Sequence, residues 1–208
     1  MINASLRLLA CSAFVVVMLC AISGAAEPQA SGANQPQAAD GLIEFTGLIE
    51  FTSKEGRFSV RLPAKPVYEK TTVGDAKTEQ HQFVVGRDQG AYLVSYQDNP
   101  NLEGNGPEEL QVALETGRKS LAESFGGEVL ESEEVTLEDA PSEEGHPGLS
   151  VRITIPDAQG EARCRLYIVG TRLYQVMALG VPAFTASEET DRVIESFKLV
   201  GDAGEATR

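Results

Sequence analysis

Residues 162–179, with the sequence ARCRLYIVGTRLYQVMAL, contain the clearest fold signal of this 208-residue chain. Residues 162–169 and 172–179 are apolar-rich runs on either side of Gly170-Thr171, a pattern that predicts an antiparallel hairpin. We expect a three-residue loop, because that register gives one fully apolar face. It would align Cys164, Leu166 and Ile168 with Tyr174, Val176 and Ala178. This interpretation buries Cys164 in the core.

The rest of the chain adds further strands and two helices. Short strands are expected at residues 58–62, 67–73, 78–85 and 91–96, and at 129–137 and 149–155 on either side of an acidic loop, 138–148. Apolar residues from Leu110 to Phe125 recur at the helical period after Pro107 and stop at Gly126-Gly127. Ser187 is expected to cap a closing helix. Strands joined by short turns are antiparallel, so the sequence predicts an α+β fold, an antiparallel β-sheet with two packed helices.

Gly117 lies in the middle of the first predicted helix, on its apolar stripe. A glycine there costs about 1 kcal/mol relative to alanine. We therefore expect it to permit a close approach of the helix to the sheet.

The first 26 residues have the pattern of a secretory signal peptide. Arg7 precedes an apolar run at residues 8–22, and residues 23–26 are small. We expect export to the periplasm or beyond, with cleavage near Ala25 or Ala26. Retention as a membrane anchor and lipidation at Cys11 or Cys20 are alternatives. Residues 27–47 are expected to form a disordered or weakly ordered tether, residues 48–200 a single domain, and residues 201–208 a flexible tail.

The tether ends in an identical tandem hexapeptide, GLIEFT at residues 41–46 and again at 47–52. Two copies are too few for a solenoid. We expect the second copy to enter the sheet, because it runs directly into the strand that follows.

Composition restricts the partners. The formal net charge is −14, and a surface of this sign repels nucleic acid and anionic membrane. We therefore expect no nucleic-acid partner and, after signal cleavage, no membrane partner. An envelope protein or a small ligand is the expected partner, and the oligomeric state stays open. No cofactor is expected, since the chain lacks a phosphate-binding glycine loop and a zinc-type ligand pair.

Two segments resemble PsbP-like domains. Residues 51–63, FTSKEGRFSVRLP, followed by Lys65-Pro66, are similar to the opening strand of that family. Residues 167–174, YIVGTRLY, together with Ser196-Phe197-Lys198, are similar to its final hairpin and helix. The match is best with uncharacterised bacterial exported proteins that have a PsbP-like domain. It implies an α/β/α sandwich and an accessory, binding or lipoprotein module, and it implies no catalytic residue.

Few residues suggest a catalytic or metal-binding role. The main hypothesis is a non-catalytic binding module, and a small periplasmic hydrolase using His146 or Cys164 is one alternative. His81 is expected on the polar side of its strand and His146 in a loop. Another alternative is a calcium-binding envelope protein, because the 98–105 turn offers oxygen ligands, with Asp98, Asn101 and Glu103 as candidates.

Two groups of charged residues, one acidic and one basic, also need an interpretation. The acidic stretch is expected to form a solvated surface, although it could bind cations, and it comprises Glu131, Glu133, Glu134, Glu138, Asp139, Glu143 and Glu144. Three arginines of the last hairpin are expected to pair with carboxylates, namely Arg163, Arg165 and Arg172.

Overall fold

The computed structural model describes residues 47–73, 78–139 and 142–200. The strands are β1 (Ile49–Ser53), β2 (Phe58–Leu62), β3 (Val67–Val73), β4 (Thr78–Arg87), β5 (Gly90–Asp98), β6 (Val129–Asp139), β7 (Ser142–Ile155), β8 (Gly160–Val169), β9 (Arg172–Gly180) and β10 (Lys198–Leu199). The helices are α1 (Pro107–Phe125), α2 (Pro182–Thr185) and α3 (Glu188–Glu195), with 3₁₀ turns at Pro100–Leu102 and Pro156–Ala158.

The strands form two antiparallel sheets. Seven of them pair in the order β3-β4-β5-β9-β8-β7-β6, and the other three in the order β1-β2-β10. Helix α1 packs on one face of the large sheet, mainly against β7 and β8. The small sheet and α3 pack on the opposite face, where the core includes Phe58, Leu62, Tyr92, Ile194 and Phe197. The predicted α+β architecture, an antiparallel sheet between helices, is confirmed, and the four-residue helix α2 is an addition to it.

Helix α1 begins and ends as its sequence predicts. Pro107 occupies the first turn, and Gly126 ends the helix in the left-handed conformation with φ 59°. Glu108 and Glu109 lie in the first turn, where their negative charges interact favourably with the positive end of the helix dipole. The expectation for Gly117 is wrong, because a Cβ added there would lie 3.7 Å from Leu166 Cδ1, an ordinary contact distance.

The second hexapeptide copy forms β1, which pairs with β2 from Ile49 opposite Leu62 to Ser53 opposite Phe58. Phe51 points inward, with its ring centroid 5.0 Å from that of Phe83. The first copy, the signal and most of the tether, and the predicted tail lie outside the described residues. Of the helices in the described ranges, none has both the length and the apolar character that a membrane span requires.

The predicted register of the last hairpin is wrong. Strands β8 and β9 are joined by two residues rather than three, with Val169 opposite Arg172 and Cys164 opposite Met177. Side chains of Cys164 and Met177 face α1, whereas Tyr174 faces the small sheet. The prediction failed because the large sheet is covered on both sides, so apolar residues occupy both faces and do not fix the register. Cys164 is nevertheless fully buried, as predicted.

The expected acidic loop at 138–148 is also wrong. The chain continues as strand through Asp139 and resumes as β7 at Ser142, so that β6 and β7 form one long hairpin. Gly145 has φ 66° within this hairpin, and the pairing shifts between Leu137 and Asp139. Such a local irregularity accommodates an extra residue in a strand pair, which explains why the sequence pattern resembles a loop.

Candidate functional site

A stack of aromatic and charged side chains lies on the small-sheet face of β3, β4, β5 and β9. The rings of His81 and Tyr96 are stacked, with centroids 4.4 Å apart and planes 10° apart. Arg172 Cζ lies 4.6 Å from the Tyr96 ring centroid. Because β4 and β9 flank β5, the imidazole and the guanidinium approach Tyr96 from its two sides. Burial raises the pKa of Tyr96, so the phenol is neutral at physiological pH.

Arg172 connects this stack to Asp98 and to the β1–β2 turn. Its Nε donates to Asp98 Oδ1 at 2.6 Å and its Nη2 to Oδ2 at 2.8 Å, a bidentate pair. Nη1 donates to the carbonyl oxygen of Glu55 at 2.8 Å, and Tyr174 Oη donates to that of Gly56 at 2.8 Å. These bonds fix the β1–β2 turn on the large sheet. The hydrogen bonds from Arg172 also hold the pKa of Asp98 below its ordinary value.

The sequence predicts His81 on the polar side of its strand, but the structure places it on the opposite, aromatic side. It shares the aromatic face with Phe83, is 9% exposed, and its Nδ1 lies 2.9 Å from Tyr68 Oη. The polar residues on the opposite face of the sheet are instead buried towards α1. They are Gln80, Gln82, Ser95, Gln97 and Gln175. Glutamine side chains on a strand usually indicate solvent, so the sequence pattern reversed the two faces of β4.

Three of the buried glutamines, Gln80, Gln97 and Gln175, line a small cavity beneath α1. Its volume is about 20 Å³, and Gly117 and Leu121 of the helix line it. Ser95 Oγ donates to Gln175 Oε1 at 3.3 Å. The buried Gln97 Oε1 has no hydrogen-bond partner among the described residues. The cavity belongs to the helix-to-sheet interface and is too small for any ligand larger than a water molecule.

The candidate calcium ligands do not converge. Both carboxylate oxygens of Asp98 accept bonds from Arg172, and Asn99 Oδ1 accepts from the backbone N–H of Asn101. Glu103 and Asn101 are exposed. Within the described parts of the chain, no three His, Cys, Asp or Glu side chains cluster as a metal site would require. Calcium binding through this turn would require the Arg172 pair to open, and it stays a prediction.

The candidate hydrolase residues lie on opposite sides of the large sheet. Cys164 packs beneath α1. His81 stacks on the other face, and His146 lies within β7 rather than in a loop, opposite Leu137 of the small-sheet core. Directly opposed residues of an antiparallel pair share a face, so neither imidazole is on the side of the thiol. A base must approach within hydrogen-bond distance of its nucleophile, and the structure does not bring these groups together.

Two of the three arginines of the last hairpin form the ion pairs that the sequence predicts. Arg163 contacts Asp191 of α3, and Arg172 pairs with Asp98. The expectation for Arg165 is not met, because its buried Nε has no hydrogen-bond partner among the described residues. Glu131 lies on the edge strand β6 and accepts from Arg152 at 2.8 Å. The described part of the acidic stretch therefore follows a sheet edge, where charge opposes pairing with another strand.

A cleft lies between the small sheet and the C-terminal end of α3, and we call it the α3 cleft. Its volume is about 530 Å³, and the residues that line it are Leu48, Glu50, Arg61, Arg192, Glu195, Ser196, Phe197 and Lys198. Sequence reasoning missed this cleft, because it brings together β1 and β2 near the start of the domain with residues 192–198 near its end. The sequence signal nearest to it is the Ser196-Phe197-Lys198 segment, which indicates the end of a helix and not a binding site.

Comparisons with known proteins support the fold. No protein-family model matches the chain, and no curated protein matches it. Among solved structures, it is similar to cyanobacterial PsbP (CyanoP) from Synechocystis sp. PCC 6803, with a TM-score of 0.51 and 11% sequence identity over 79% of this chain and 99% of that one. A Bacteroides thetaiotaomicron structure has a TM-score of 0.34 and 14% identity over 75% of this chain and 49% of that one, too low to support an argument. The described residues therefore form a domain with the PsbP-like fold that the two sequence segments predict.

Proposed function

We propose that this protein is an exported, non-catalytic accessory module that binds a partner protein or a small ligand outside the cytoplasm. The PsbP-like fold is compatible with such a role. Export is inferred from the signal-peptide pattern of residues 1–26. A fold alone establishes no activity, so the contacts of the reactive side chains carry the proposal.

The observation that supports the proposal best is the use of these side chains in packing. The Cys164 side chain is fully buried under α1, and His81 is held between Tyr68 and Tyr96. Asp98 and Arg172 bind each other through two hydrogen bonds. Groups with these contacts contribute to the packing and hydrogen bonding of the fold.

The proposal is tested in two experiments. Cell fractionation with N-terminal sequencing should find the protein in the exported fraction, beginning after Ala25 or Ala26. A panel of esterase, phosphatase and peptidase substrates should show no turnover above that of the His146→Ala and Cys164→Ala variants. Hydrolysis that either substitution abolishes would refute a non-catalytic role, and a cytoplasmic, unprocessed chain would refute export.

A further inference from the structure

Asn105-Gly106 is the only Asn-Gly pair in the sequence. It lies in the loop between the 3₁₀ turn at Pro100–Leu102 and helix α1, and both residues are partly exposed. The backbone nitrogen that follows an asparagine can attack the carbon of the side-chain amide. A glycine at that position offers the least obstruction, because it has no Cβ and the widest choice of backbone conformations. The sequence therefore places a reactive pair in an irregular, accessible segment.

No hydrogen bond among the described residues restrains the two groups that would react. The Asn105 backbone N–H donates to the Leu102 carbonyl oxygen at 3.3 Å, but the Asn105 side-chain amide bonds to none of these residues. The Gly106 carbonyl oxygen accepts from the Leu110 N–H at 3.1 Å, whereas the Gly106 N–H donates to none of them. Both the attacking nitrogen and the amide that it attacks are therefore available.

The neighbouring asparagines are held in a different way. Asn99 precedes Pro100, which has no N–H to lose, and Asn99 Oδ1 accepts from the Asn101 backbone N–H at 3.1 Å. Asn101 precedes Leu102, whose side chain is buried. The Leu102 N–H donates to the Asn99 carbonyl oxygen at 3.0 Å, so its nitrogen is engaged. Of the three asparagines in the described ranges, Asn105 alone has an unengaged nitrogen after it.

We propose that Asn105 is a site of spontaneous deamidation, an inference that goes beyond the proposed function. The Gly106 nitrogen gives up its proton and bonds to Asn105 Cγ, and the side-chain nitrogen leaves with that proton as ammonia. The product is a cyclic succinimide. Water then adds to either ring carbonyl and opens the ring, which leaves an aspartate or an isoaspartate. The reaction consumes a water molecule, releases an ammonia molecule and involves no oxidation or reduction.

The ionisation of the Gly106 N–H gives the reaction a pH dependence. The rate should rise from neutral to mildly alkaline pH, because the deprotonated nitrogen is the nucleophile. Glu108 and Glu109 are exposed carboxylates in the first turn of α1, and their negative charges oppose this ionisation. Salt screens such charges, so the reaction should be faster at high ionic strength than at low.

The test is incubation of the full chain in H₂¹⁸O at mildly alkaline pH, followed by peptide mapping with mass spectrometry. The ¹⁸O label should enter position 105 as a mixture of aspartate and isoaspartate. Gly106→Ala should slow labelling several-fold, because the added Cβ obstructs the attack. Alanine fits the Gly106 backbone, φ −80°, and its Cβ would meet only the movable end of the exposed Glu109 side chain, 2.9 Å from Oε2. Asn101→Ser is the matched control and should leave the rate at Asn105 unchanged.

Three results would overturn the inference without touching export or the lack of turnover. Labelling of Asn105 in urea but not in the folded protein would show that the loop holds the reacting groups apart. Aspartate without isoaspartate would indicate direct hydrolysis of the amide. Equal rates in Gly106→Ala and the wild type would exclude the Gly106 nitrogen as the nucleophile. If Gly106→Ala fails to fold, Asn105→Gln keeps an amide but lengthens the side chain, and it should likewise lose most of the labelling.

Discussion

Replacing Gly117 with alanine should stabilise the protein. The residue lies in the interior of α1, where alanine is favoured over glycine by about 1 kcal/mol. The added Cβ would lie 3.7 Å from Leu166 Cδ1 and meet nothing closer, so no steric cost offsets the gain. For a domain of this size, a gain of about 1 kcal/mol raises the melting temperature by roughly 2–4 °C.

Gly90→Ala is the contrasting variant. A Cβ at Gly90 would lie 2.3 Å from the carbonyl oxygen of Leu179 and 2.5 Å from Phe184 Cδ1, and backbone cannot move away cheaply. We expect a loss of about 1–3 kcal/mol, the usual cost of overpacking. Urea denaturation and thermal unfolding measure both variants. A destabilised Gly117→Ala protein would refute the reasoning, because it would show that α1 needs a glycine for close approach after all.

Three further predictions follow from hydrogen bonds and pKa values. Tyr174→Phe removes the bond to the Gly56 carbonyl and should lower the free energy of unfolding by about 1 kcal/mol, which a shifted urea midpoint would show. Arg172 lowers the pKa of Asp98, so the stability this pair contributes is present above about pH 4, the unfolded value, and is lost as pH falls further. Asp98→Asn should reduce this loss of stability at acid pH, and an unchanged pH dependence of unfolding would contradict a stabilising Asp98–Arg172 pair. Burial raises the pKa of Tyr92 to about 12. The stability that its neutral phenol contributes is therefore present below about pH 10 and is lost towards pH 12. Tyr92→Phe should reduce the alkaline loss, and an ultraviolet titration showing ordinary ionisation of every tyrosine would contradict it.

Local signals predicted the elements well. Pro107 and Gly126 bound α1, and Ser187 caps α3 by accepting a bond from the Thr190 N–H. The second hexapeptide copy forms β1. Each of these features depends on a few neighbouring residues, whose backbone preferences act before any tertiary contact forms.

Features that depend on two covering layers were not predictable in the same way. The sequence predicts the wrong face for His81, because the glutamines beside it are buried under α1 rather than exposed. The register of β8 and β9 failed for a related reason, since both faces of the hairpin are covered. The α3 cleft depends on a contact between Arg61 and Ser196, 135 positions apart, for which no local pattern exists.

The length of the duplicated hexapeptide has a consequence for insertions at the start of the domain. Side chains along a strand alternate with period two, and six is an even number, so the unit repeats in phase with the pleat. In β1, Phe51 faces the interior and Glu50 is exposed. A duplication of five or seven residues would have put the second unit out of phase with the first. Insertions of even length immediately before Ile49 should therefore be better tolerated than odd ones wherever the added residues extend the strand.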